Sequence, residues 1–289
     1  MLAYFLFLIQ LNIAWAAAPS HQPFTALLQK YVVLEGKNSN VRYVDLWRKD
    51  LASLDKYLDS LEAISRDDFD KWSTPDRLAF LINCYNGFAV KLIVDSIPDG
   101  TPPVSIEVLG SILTSPFKKK FFSLFSHRAH LEGLRSEIEA LDDPRALFAL
   151  ACTGKACPAL RAEAYDATKL NEQLEQAAKN FMNDANKNRF NAAKNVFELS
   201  ILIEKNHRIF ESSKKIPGGL QTFLLSRMEN LPENAKAQLK ANQAKFRFLD
   251  FDWNLNVAPS LELPKPAPSA TAGKETSPIP TASSGPEKK

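Results

Sequence analysis

The chain has 289 residues, 45% hydrophobic and 24% charged, and its 36 basic and 33 acidic residues leave a formal net charge of +3. That near balance excludes the strong cationic footprint of a nucleic-acid binder, and the densest basic run, Lys-Lys-Lys at 118–120, suits a solvated strand edge. Three cysteines are too few for a disulfide scaffold, and their odd number leaves at least one thiol free.

Residues 1–18 read as an export signal: an apolar run over 2–11, then the small-residue site Ala14-Trp15-Ala16 before Ala17. The run is shorter than the roughly 20 residues of a membrane span. The mature protein is therefore expected to be periplasmic or secreted, to start near Ala17 and to keep no stable membrane span. The first cysteine is Cys84, which speaks against lipid attachment at the new terminus. Residues 258–289 hold seven of the 18 prolines among Ser, Thr, Ala and Lys and are expected to be disordered.

The roughly 240 residues between, 19–257, contain no Pro/Gly/Ser linker and are read as a single domain. Trp47, Leu51, Leu54, Leu58 and Leu61 recur at three and four positions and predict a helix over 45–64. Thr74-Pro75 opens a second helix, Leu78, Leu81, Ile82, Tyr85, Phe88, Ala89, Leu92 and Ile93 form its apolar face, and Pro98 closes it. Five more helices are predicted over 131–141, 167–181, 200–212, 220–229 and 233–242. Strands are predicted over 121–125, 188–190 paired with 196–199, and 245–250. Without regular strand–helix alternation, this order indicates an α+β fold: a helix-rich domain with a small, mainly antiparallel sheet built from short hairpins.

The stretch Cys152-Thr153-Gly154-Lys155-Ala156-Cys157-Pro158 carries the most chemistry. Pro158 reads as the first residue of a helix, whose amides and dipole would favour a Cys157 thiolate. Arg161, one helical turn on, would then share its face, to steer an anion or to pair with Asp142, Asp143 or Glu163. The competing reading bridges Cys152 and Cys157 into a disulfide, which export permits and which ends thiolate chemistry. Asn83 and Asn86, three apart on the second helix, offer amides either to a ligand carbonyl or to loop backbone in the core. Tyr85 is read as core with a satisfied hydroxyl, and Cys84 as lying on the opposite, polar side with Arg77, Lys91 and Asp95. Thr153-Gly154-Lys155 lacks the glycine and Ser/Thr of a phosphate loop, no Cys/His/carboxylate set has zinc spacing, and Gly-x-Ser-x-Gly is absent. No metal and no cofactor are implied.

Four segments, in order, resemble the domain of unknown function 547 family: Ile82-Asn83-Cys84-Tyr85-Asn86-Gly87; Asp143-Pro144-Arg145 through Phe148-Ala149-Leu150-Ala151-Cys152; Ala156-Cys157-Pro158-Ala159-Leu160-Arg161 with Glu163-Ala164-Tyr165; and Phe251-Asp252-Trp253-Asn254-Leu255-Asn256. The resemblance implies that Asp252 and Trp253 are site candidates, and that the family pattern carries a Cys and His set like that of a cysteine hydrolase or transferase. This chain departs from it. The family's Glu-His pair falls on Arg135 and Ser136, and its other His falls on Leu147. The remaining histidines are His21 in a start expected to be mobile, His127 and His130 at a predicted hairpin tip, and His207 in a late helix.

Two readings follow. In the first, the protein is a non-catalytic relative that binds a small molecule or an envelope protein through Asn83, Asn86, Cys152, Arg161 and Asp252. In the second, Cys157 is the nucleophile of a hydrolase or transferase acting on a peptide- or amide-like bond, with Asn83 and Asn86 as polar stabilisers and Arg161 as anchor.

Overall fold

The apolar face that follows Thr74-Pro75 becomes the central helix of the molecule. In this computed structural model, residues 17–111 and 114–261 are described; the signal reading up to residue 16 and the tail reading from 262 lie outside them. The chain enters through α1 (Gln22–Tyr31), a hairpin of β1 (Val32–Glu35) and β2 (Asn38–Val41), α2 (Tyr43–Glu62), the short α3 (Arg66–Phe69) and α4 (Thr74–Val94). Ser73 caps α4 by accepting the Asp76 N–H, and Pro75 sits where its missing N–H costs nothing. Gly87 lets α2 approach: a Cβ there would lie 2.8 Å from a Leu58 methyl. α4 is long and apolar enough to cross a membrane, yet it lies inside the protein.

After a loop with two 3-10 turns come β3 (Phe122–Leu124), β4 (His127–Ala129), α5 (Leu131–Glu139), a 3-10 turn at Pro144–Ala149 and α6 (Leu170–Met182). The last part holds β5 (Arg189–Asn191), β6 (Val196–Ser200), α7 (Ile201–Lys205), α8 (His207–Ser212), α9 (Gly219–Arg227), α10 (Glu233–Lys240) and β7 (Phe246–Leu249). The fold is α+β. Its strands make three small sheets: β1–β2 and β3–β4 are antiparallel hairpins, and β6 pairs antiparallel with β5 and parallel with β7. One apolar cluster surrounds α4; a second, around α6, α9 and β6, begins at Leu147 and Phe148.

Several expectations change. α1 and the β1–β2 hairpin were not anticipated, although Phe24, Leu27, Leu28 and Tyr31 stand at helical spacing on the buried side of α1. The helix expected over 200–212 breaks at Asn206 into α7 and α8. Cys84 is fully buried, because α4 is packed on nearly every side and has no polar face at that level. His21 is docked: its Nδ1 lies 2.9 Å from the Tyr57 hydroxyl. His130 caps α5, its Nδ1 accepting the Gly133 N–H at 2.9 Å. The first residues of the Pro-rich stretch are also packed. The Ala258 N–H donates to Val41 O at 2.9 Å, and Asp45 accepts from both the Ser260 hydroxyl and the Leu261 N–H.

Candidate functional site

Residues 149–165 run across α4 without forming a helix, held there by the two asparagines. Asn86 donates from Nδ2 to Ala149 O at 2.9 Å and accepts the Ala151 N–H on Oδ1 at 2.9 Å. Asn83 does the same with both backbone groups of Tyr165, at 2.8 and 2.9 Å. Both side chains are almost completely buried. The structure thus spends these amides on loop backbone, the second of the two roles their spacing allows, and neither lines a cleft.

The helix expected after Pro158 is absent, because the segment's backbone groups are bonded elsewhere. Ser39 Oγ accepts the Leu160 N–H at 2.7 Å, Thr25 Oγ1 accepts the Ala164 N–H at 3.1 Å, and the buried Lys187 ammonium donates to Cys157 O at 3.0 Å. Lys187 also meets Asn38 and the Asp184 carboxylate, and burial holds its pKa below the ordinary lysine value. Cys157 therefore has no helix amides beside it. Arg161, no longer one helical turn from Cys157, pairs with Glu163 and lies over the Tyr165 ring, while Asp143 is taken by Arg145. Glu163 is held below the ordinary carboxylate range chiefly by its hydrogen bond from Arg161.

Cys152 and Cys157 are joined in a disulfide with Cα atoms 5.5 Å apart. Closing so short a loop is worth only about 2 kcal/mol of chain entropy. Cys157 is 3% exposed, and its sulfur accepts the Gly154 N–H at 3.1 Å. Inside the ring, Thr153 adopts φ +65°, costly for a β-branched residue, and its buried hydroxyl has no hydrogen-bond partner among the described residues. The ring is stitched to the C-terminal segment: Asn256 N–H to Thr153 O at 3.0 Å, Lys155 N–H to Asn254 O at 2.9 Å and Ala156 N–H to Asp252 O at 3.0 Å. The Asp252 carboxylate is exposed and accepts the Asn254 N–H, a turn contact.

Beside this ring lies a cleft of about 550 Å³. One wall is the polar stripe of α5: Glu132, Arg135, Ser136 and Glu139, at the i, i+3, i+4, i+7 spacing of a single helix face. The lining also includes Ile201, Leu202 and Lys205 of α7, with Asn206, and three aromatic rings, Phe117, Phe251 and Trp253. Tyr85, Leu147, Leu150, Cys152 and Pro158 also line it. Of the anticipated site residues, Cys152 and the family candidate Trp253 reach this space, whereas Asn83, Asn86, Cys157, Arg161 and Asp252 do not. Yet Arg135, Ser136 and Leu147, the positions on which the resemblance lays the family's Glu-His pair and its other His, come together in the cleft.

Arg135 Nε donates to Glu139 Oε1 at 2.7 Å, and Lys118 lies 3.6 Å from Glu132. Lys205 has no ion-pair partner among the described residues. Tyr85 is 5% exposed, and burial pushes its pKa up to about 12, with Arg135 opposing that shift and Glu132 adding to it. Contrary to expectation its hydroxyl has no hydrogen-bond partner among the described residues; it opens onto the cleft. No histidine lines this space, and no group of His, Cys, Asp and Glu able to hold a metal ion occurs among the described residues. The α5 stripe was visible in the sequence as helical spacing, but it reads as ordinary surface until α7 and Trp253 line the same cleft.

Comparison with curated proteins and with solved structures returned no match. Residues 69–182 match the family described as "Protein of unknown function, DUF547". That segment supplies α4, α5, the disulfide ring and one side of the cleft, while α7 and Trp253 come from beyond it. That match takes in three of the four segments read from the sequence and supports the DUF547 family for residues 69–182 of this chain.

Proposed function

We propose that the protein is an exported, non-catalytic member of its family that holds a ligand or an envelope partner in the cleft between α5, α7 and the Phe251–Trp253 segment. The observation that carries this reading is the fate of the chemical groups. Both candidate thiols are consumed in one bond, and the resemblance implies that Arg135, Ser136 and Leu147, which line the cleft, take the places of the family's acid–base residues. A thiol nucleophile needs a free sulfur and a proton acceptor within hydrogen-bond reach. Here the sulfur is bonded, and the cleft offers groups that bind and orient instead. Export is supported by the apolar N-terminal run and by a disulfide that an oxidising compartment keeps intact.

The test is a thiol map of the mature protein, never reduced. Alkylation after denaturation is expected at Cys84 alone, and native protein is expected to take up no reagent, because Cys84 is completely buried. Labelling of all three cysteines, with Cys157 fastest in the native state, would replace this reading with the thiol enzyme.

A further inference from the structure

The cleft has the chemistry of a sugar site. We infer that its ligand is a short neutral oligosaccharide, an inference that rests on the binding reading above. Trp253 is half-buried, its ring centroid 4.3 Å from that of Phe251 and 6.1 Å from that of Phe117. Held by contact with these tilted rings, the indole loses little further freedom when a ligand arrives. Its N–H has no hydrogen-bond partner among the described residues. A pyranose ring presents a face of C–H groups that packs on such a surface and a rim of hydroxyls that must find donors and acceptors together.

The α5 stripe and Tyr85 of α4, which line the same cleft, supply both. Glu132 and Glu139 accept, while the Arg135 fork and the Tyr85 hydroxyl donate, and the Arg135–Glu139 pair sets donor and acceptor side by side as vicinal hydroxyls require. The Tyr85 hydroxyl is the most telling group, a polar atom on a residue 95% removed from solvent, without a protein partner and facing the cleft. Water reaches this hydroxyl through the cleft, and a ligand hydroxyl can take that water's place with its hydrogen bond kept. The charges decide the class. Two carboxylates stand against two cations in the same cleft, so an ionic ligand gains no net attraction, whereas a neutral polyol uses every group. The volume suits a ligand of a few rings.

The test follows tryptophan fluorescence and saturation-transfer NMR of the mature protein against maltotriose, cellotriose and chitotriose, with glucuronate and trialanine as probes of other classes. At least one trisaccharide is expected to saturate. Trp253→Ala and Tyr85→Phe are expected to weaken it by about tenfold or more. Raising the salt from low to physiological strength is expected to change the affinity by less than about twofold. Urea midpoints of both variants show whether the fold has survived, and Glu139→Gln, at an exposed position, repeats the test without touching the core. The inference is overturned if none of the three sugars binds, if the variants bind sugar as well as the parent, or if glucuronate binds best with steep salt dependence. Saturation by trialanine alone, lost in Trp253→Ala, would overturn the sugar assignment and keep the binding reading. A free, fast-reacting Cys157 in the thiol map would remove the binding reading whatever the sugars do.

Discussion

Replacing Asn86 with alanine tests whether the α4 amides serve the loop or a ligand. The side chain is 2% exposed and spends its two polar atoms on Ala149 O and the Ala151 N–H. In Asn86→Ala both backbone groups stay buried with no partner, each costing about 1–3 kcal/mol, and the lost amide leaves a small void besides. The sum is about 3–7 kcal/mol, a large part of the roughly 5–15 kcal/mol that holds a domain folded. In a domain of this size it lowers Tm by roughly 6–28 °C. Urea unfolding of the oxidised protein should show the midpoint falling with an unchanged slope. Asn234→Ala, at an exposed position, should stay within about 0.5 kcal/mol of the parent. A loss below about 1 kcal/mol, with ligand binding abolished, would refute the clamp and return Asn86 to the ligand.

Two further perturbations probe the same body from other sides. Burial holds the His21 imidazole down at about 4, against an ordinary 6.5, with the charge of Asp166 opposing the shift. The unfolded chain therefore binds a proton that the native state refuses, and stability is level above pH 6.5 and falls as pH drops from 6.5 toward 4, by up to about 3 kcal/mol. Urea titrations across that window should show His21→Gln losing this slope; equal slopes would contradict it. Thr153→Gly removes a strained φ of +65° and a buried, unpartnered hydroxyl, set against the entropy glycine adds to the unfolded chain. A net gain of about 1 kcal/mol in the urea midpoint is expected, and any loss would mean that the ring holds Thr153 without strain.

What could be read in the sequence was local. The start of α4 was legible because Thr74-Pro75 and the spacing from Leu78 to Ile93 are signals confined to one helix. The all-round burial of that helix was not, since Arg77, Lys91 and Asp95 sketch a polar side that α2, α5 and the 149–165 loop override around Cys84. Pro158 raised a helix that the structure lacks because Ser39, Thr25 and Asn83 claim the segment's N–H groups from far away in the chain. The site divides in the same way. The Cys152–Cys157 pairing was one of two readings of a short loop, whereas the cleft joins an α5 stripe to residues about 60 to 120 positions later, which no spacing rule reaches.

The stitching of the chain's last described residues has a consequence for how the molecule is made. Asn256 bonds to Tyr43 and to the backbone of Ser39, Ala258 to Val41 and Ser260 to Asp45, all more than 200 positions apart in sequence. Contacts of such high sequence separation form late, after the loop entropy between them has been spent. Trp253 rides on this segment, so a nascent or truncated chain that has already built α4 and closed its disulfide still lacks the ring wall. On the binding reading proposed above, the cleft is therefore completed only once the 251–260 segment has docked.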